Sequence, residues 1–211
     1  RFHPAGPVSP QEPYDQSGKH AVYLALLNLI QAKFYRHRKG EPMLDCDYEE
    51  IKQLVEQDGY KVHERVEKDS ASMGHHKTYT VFEYALDNTL LLADVKLMTI
   101  LMKAMSNDDS INTSVPFGLS RTVAHEVCRG ILPRELLPIL KANQHVDWNK
   151  LDRYGSSPVH HAVDRALRDA SKVDFLKELL KNPPHGLEVD TKDGKGRPPS
   201  YYATKKGQNE I

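Results

Sequence analysis

Three times in this 211-residue chain an Asp, two residues and a Gly are followed, after six intervening residues, by an Ala. The copies are Asp152–Gly155–Ala162, Asp193–Gly196–Ala203 and Asp15–Gly18–Ala25. Seven positions ahead of a Gly stands a bulky side chain: Ile111 before Gly118, Trp148 before Gly155 and Val189 before Gly196. Each is followed by an amide or acid, Asn112, Asn149 and Asp190. Ile111 to Trp148 spans 37 residues and Trp148 to Val189 spans 41. A period of that size points to an array of similar stacked units. Each unit carries too little apolar surface to fold alone and completes its core against its neighbours.

Local chemistry agrees. Asp-x-x-Gly makes a turn whose Gly can take positive φ. The Ser157-Pro158 that follows starts a helix, with the hydroxyl as cap and the Pro in a first turn where its missing N–H costs nothing. Helical periodicity predicts helices over 20–35, from about 47 to 58, and over 80–90, 94–105, 120–129, 133–142, 157–168, 172–181 and 198–206. The first is apolar nearly all round, as a helix buried between neighbours would be. Asp47 is the expected cap of the second, ended by Gly59. Met98, Met102 and Met105 share one face as core filling. No alternating strand of five residues or more occurs, so the class read from the pattern is all-α.

These units resemble the ankyrin repeat. The fullest match is Asp152, Gly155, Ser157-Pro158-Val159-His160 and Ala162, with Leu176, Leu179 and Leu180 in the second helix and Gly186 with Val189-Asp190 leading out. The next unit keeps Asp193, Gly196, Pro199 and Ala203. The unit before keeps Gly118 and Ser120, with Arg121 at the Pro place and His125 at the Ala place. Thr80 and Ala85 remain in the second unit. Asp15, Gly18 and Ala25 mark the first, which carries a long insert over about 36–46 and exits through Gly59 and Val62-His63. The resemblance implies an ankyrin-type α-solenoid with units near 15–63, 64–110, 111–147, 148–188 and 189–211, behind a Pro-rich extended leader over 1–14 that reads as trimmed.

Composition narrows the function classes. Lys+Arg and Asp+Glu each number 29, so the net charge is zero, which argues against a polyanion binder. The most apolar stretch, from Leu90 to Met105, is broken by Asp94, Lys96 and Lys103, so no membrane span is expected. Two cysteines, Cys46 and Cys128, suit a reducing cytosol. His75-His76 and His160-His161 are adjacent pairs, pointing about 100° apart on a helix, and lack the i, i+4 spacing of a metal site. His125 and Cys128 could share a helix face as a nucleophile pair, but no orienting third group accompanies them. Lys33 to Lys39 is a basic run with aromatics, read as a helix C-terminus ahead of an RNA contact. Tyr201-Tyr202 in the last helix would leave a sticky face unless something covers it.

The expected function is therefore non-catalytic protein recognition in the cytoplasm, with no cofactor, no metal, no nucleic acid and no membrane. Such an array would act as a monomer within a longer chain. What the resemblance implies is contact through projecting turns and the first-helix face: Asn149, Lys150, Arg153 and Tyr154 from one turn, Lys192, Lys195 and Arg197 from the next. Asp164, Arg165 and Arg168 join them from the helix between. The alternative is an array that targets a catalytic domain lying outside this chain. A second alternative places an active site among His63, His75, His76, His125 and Cys128, and requires a polar pocket joining at least two of them.

Overall fold

The computed structural model describes residues 44–56, 66–68, 77–79, 94–105, 109–112 and 119–205, with residue 82 and a few positions between 29 and 41. Helix α1 runs Asp45–Glu56, starting three residues earlier than a cap at Asp47 would place it. Asp47 lies inside the first turn and reaches back, accepting the Leu44 N–H at 2.9 Å and pairing with Arg36 at 3.4 Å. A short antiparallel hairpin follows, β1 Val66–Lys68 against β2 Lys77–Tyr79, with Glu67 opposite Thr78. Three residues per strand are too few for alternation to show in sequence. Helix α2, Val95–Ala104, is capped by Asp94, whose Oδ1 accepts the Leu97 N–H at 2.9 Å. Met98, Met102 and Met105 are all buried, as their spacing required.

From residue 119 onward the description is continuous. Helix α3 is Val123–Arg129 and ends at Gly130, whose φ of 74° supplies the left-handed C-terminal cap. The helix predicted over 133–142 is divided into a 3₁₀ turn, Arg134–Leu136, and α4, Leu137–Ala142. Pro138 is the reason: without an N–H it cannot bond back to residue 134, and the preceding turn closes more tightly. Helix α5 is Pro158–Arg168. Helix α6, Val173–Lys181, follows a 3₁₀ turn at Ala170–Lys172, and α7 is Pro199–Lys205.

Helix α5 packs between α3 and α7 and against α6, while α2 packs against α1 and α4. One core joins them, from Ile30, Ile51 and Phe82 through Leu97, Leu101, Val127 and Trp148 to Leu176, Leu179 and Ala203. Among the described residues the regular elements are thus helices apart from the hairpin. Among the described positions of the expected first helix, Leu29 and Ile30 face the core while Ala32 and Tyr35 face solvent, so burial there is not all-round. Its remaining positions, most of the helix expected over 80–90, and Asp15, Gly18, Ala25, Thr80 and Ala85 lie outside the described residues. Both thiols are free, Cys46 exposed and Cys128 buried. Among the described residues no helix is long and apolar enough to cross a membrane.

Candidate functional site

The turns at 152–156 and 193–197 are built alike. In each, one Asp oxygen gathers two backbone N–H groups: Asp152 takes those of Tyr154 and Ser156 at 2.8 and 3.0 Å, Asp193 those of Lys195 and Arg197 at 2.8 and 2.9 Å. Gly155 and Gly196 then take φ of 75° and 74°. The turns are hooked together, since the Gly194 N–H donates to the Gly155 carbonyl at 3.0 Å and the Arg153 N–H to that of Leu119 at 2.8 Å. A Cβ on Gly155 would overlap the Gly194 backbone, so this approach requires glycine.

Two histidines clip each helix start to the next turn. In α5, His160 Nδ1 accepts the Ser157 N–H at 3.2 Å and Nε2 donates to the Arg197 carbonyl at 3.1 Å. In α3, His125 Nδ1 accepts the Thr122 N–H at 3.0 Å and Nε2 donates to the Ser156 carbonyl at 3.1 Å. This fixes one tautomer for both. It also corrects the alignment of the earlier unit. Thr122-Val123-Ala124-His125 stands where Ser157-Pro158-Val159-His160 stands, so Arg121 does not hold the Pro place nor His125 the Ala place. Ser120, with φ of 54°, takes the position of Gly155. Thr122 comes eleven residues after Ile111 and Ser157 nine after Trp148, so the earlier copy has two more residues between these landmarks. Gly118 lies outside the described residues.

The amides after the bulky residues form a second clamp. Asn112 donates to the His145 carbonyl at 2.7 Å and accepts the Asp147 N–H at 2.7 Å. Asn149 donates to the Gly186 carbonyl at 2.6 Å and accepts the Glu188 N–H at 2.9 Å. Asn149 is therefore committed to joining its own turn to the next. Lys150 likewise donates to the Asn112 carbonyl at 2.7 Å.

The remaining expected contact residues fall into two groups. Arg153, Tyr154, Lys192 and Lys195 are exposed on adjacent, hooked turns, with Tyr154 at 66% exposure. Arg197 belongs to these turns but is held by Asp193 at 3.3 Å and lies over the rings of Tyr201 and Tyr202. Asp164 and Arg168 pair with each other at 2.9 Å. Arg165 lies seven residues into α5, about 10 Å along the axis from Pro158 at 1.5 Å per residue. It sits beside Gly130 at the far end of α3, not with the turns.

Behind Tyr154 is a polar cluster that the motif search did not single out. Asp152 Oδ2 receives Arg121 at 3.1 Å and His161 at 2.9 Å, with the Arg121 guanidinium 5.8 Å from the Tyr154 ring centroid. Burial pushes the Asp152 carboxyl up, but the N–H donors of Ser156, His161, Tyr154 and Arg121 outweigh it and hold it below the ordinary range. Glu126 occupies in α3 the place His161 has in α5; burial raises its pKa against the pull of Arg129, 2.7 Å away. Arg121 was legible as polar but its burial follows only from the corrected register.

His125 and Cys128 do not form a nucleophile pair. Both ring nitrogens of His125 are occupied, and burial drives its pKa down to about 4, helped by His161. Burial pushes the Cys128 thiol well above its ordinary range, which keeps it protonated. His63, His75 and His76 lie outside the described residues, and among the described residues no group of His, Cys, Asp and Glu could hold a metal ion. Among the described positions of the basic run, Arg36 is paired with Asp47 and Lys39 lies over the Tyr35 ring. No protein-family model and no curated protein matches this chain.

Proposed function

We propose that this chain is an ankyrin-type recognition module that binds a partner protein, or an extended peptide from one, through the tips of its consecutive turns. The observation that carries this reading is the hooking of turn 152–156 to turn 193–197, which presents Arg153, Tyr154, Lys192 and Lys195 side by side on a rigid edge. Tyr and Arg are the side chains that most often dominate binding energy at protein interfaces. A rigid aromatic anchor loses little conformational entropy on binding. Beneath the tips, Arg121 and His161 both bond the buried Asp152 carboxylate and so brace the turn that carries Arg153 and Tyr154. Asn149 and Lys150 contribute by fixing the turns, and Arg197 by bracing the second one.

The test compares proteins retained from cell lysate by the parent chain and by Arg153→Ala/Tyr154→Ala/Lys195→Ala, with helicity of both checked by circular dichroism. A protein retained by the parent and lost by the folded variant supports the reading. Equal retention by both places recognition elsewhere.

A further inference from the structure

Of the described arginines, Arg36, Arg121, Arg129, Arg134, Arg168 and Arg197 each pair with a carboxylate. Arg153 has none and stands at an exposed turn tip, where water satisfies it. Arg165 differs from both kinds: it is partly buried, yet none of its five N–H donors meets an acceptor among the described residues. Its guanidinium packs closely against two neighbours. The Phe175 ring centroid is 5.7 Å from it, and it lies so near Gly130 that a Cβ there would overlap it. The C-terminus of α3 explains why a cation is tolerated there, but it takes no hydrogen bond from it.

This guanidinium lines a cavity of about 260 Å³ between the two helix-to-helix linkers, with Arg134 and Lys172 also in its wall and Ile131, Pro133 and Phe175 as its apolar part. Arg134 is paired with Glu178 at 2.6 Å and Lys172 with Asp169 at 3.6 Å, so the positive charge of Arg165 is the one left unbalanced. Three cations from three elements suit a compact anion with several acceptor oxygens. Arg165 has no carboxylate partner among the described residues and opens onto the cavity, while Arg134 and Lys172, each held by one carboxylate, keep further N–H donors for the remaining oxygens. We propose that this cavity is a phosphate-binding site, with Arg165 as its central ligand and Arg134 and Lys172 as its rim. It stands apart from the turn tips and does not depend on the recognition reading. The phosphate is either free or carried on a peptide side chain, for which the apolar wall leaves room.

The test is amide and arginine Nε–H chemical-shift titration of the whole chain with inorganic phosphate, with a short phosphoserine peptide and its unphosphorylated form, and with acetate. The expected result is a saturable shift at Gly130, Ser171 and the Arg165 Nε–H with phosphate, weakened roughly tenfold in Arg165→Gln, the loss of one charge-assisted bidentate contact. Tighter binding of the phosphoserine peptide than of inorganic phosphate identifies a carried group, and equal or weaker binding identifies the free ion. Arg134→Gln/Lys172→Gln, changed only at the rim, gives a smaller weakening and keeps the test valid if Arg165→Gln unfolds. Shifts that never saturate, that are as large with acetate, or that persist unchanged in the variants overturn the proposal.

Discussion

Glycine positions separate backbone strain from steric contact in this chain. Gly155 and Gly196 have nearly the same φ, 75° and 74°, but only Gly155 faces another backbone. Gly196→Ala should therefore cost only the left-handed penalty, about 1–2 kcal/mol. Gly155→Ala should cost more, because the overlap also breaks the hook to Gly194; urea unfolding of the two variants measures the difference. Ser120 holds the equivalent place with a φ of 54° and a Cβ, so Ser120→Gly should stabilise the fold by about 0.5–1 kcal/mol after its own unfolded-state entropy is deducted. His125 sets a pH dependence. Its pKa falls from an unfolded value near 6.5 to about 4 in the fold, so between those values the unfolded chain binds more protons. Stability is fully present above pH 6.5 and declines as pH falls towards 4, by up to ~3 kcal/mol from this residue. His161, also lowered chiefly by burial, acts in the same direction. Denaturant midpoints of parent and His125→Asn across that window check the sign; the variant should be less stable at pH 7 and have a flatter profile.

At the scale of elements, the clips and clamps decide how the helices hold together. Asn149→Ala removes a donor and an acceptor that join turn 149–152 to the segment at 186–188, for about 1–2 kcal/mol. Because units in a stack depend on their neighbours, the loss should fall mainly on α7, with faster amide exchange at 199–205 and little change in α3. The sequence was most readable where a local rule fixes the geometry. Ser157-Pro158 starts a helix where capping chemistry places it, and Met98, Met102 and Met105 enter the core as their spacing required. It misled where a count mattered: two extra residues after Ile111 moved the positive φ to a serine, which carries no glycine signal. Pro138 divided a helix that periodicity drew as one. The turn tips were legible as exposed charge and aromatics, but the commitments of Asn149 and Lys150 were not, because their partners lie more than thirty residues away. The placement of Arg165 depends on Gly130, at the end of another helix, and no local pattern joins the two.

For the whole molecule, the described helices share one core in a chain of balanced charge, and the proposed recognition belongs to its surface rather than its interior. The edge of hooked turns and the linker cavity at the other end of α3 are separate, so loss at one should leave the other intact. In particular, Arg153→Ala/Tyr154→Ala should weaken partner binding by about 2 kcal/mol or more, as loss of a central aromatic anchor does, without altering the phosphate-dependent shifts at Gly130. The most direct measurement is site-specific photo-crosslinking in lysate, with a photoreactive phenylalanine analogue at position 154 and, separately, at the exposed position of Lys177 on α6. The account predicts a discrete protein adduct from position 154 and none from 177. Adducts from both alike, or from 177 alone, would contradict recognition through the turns.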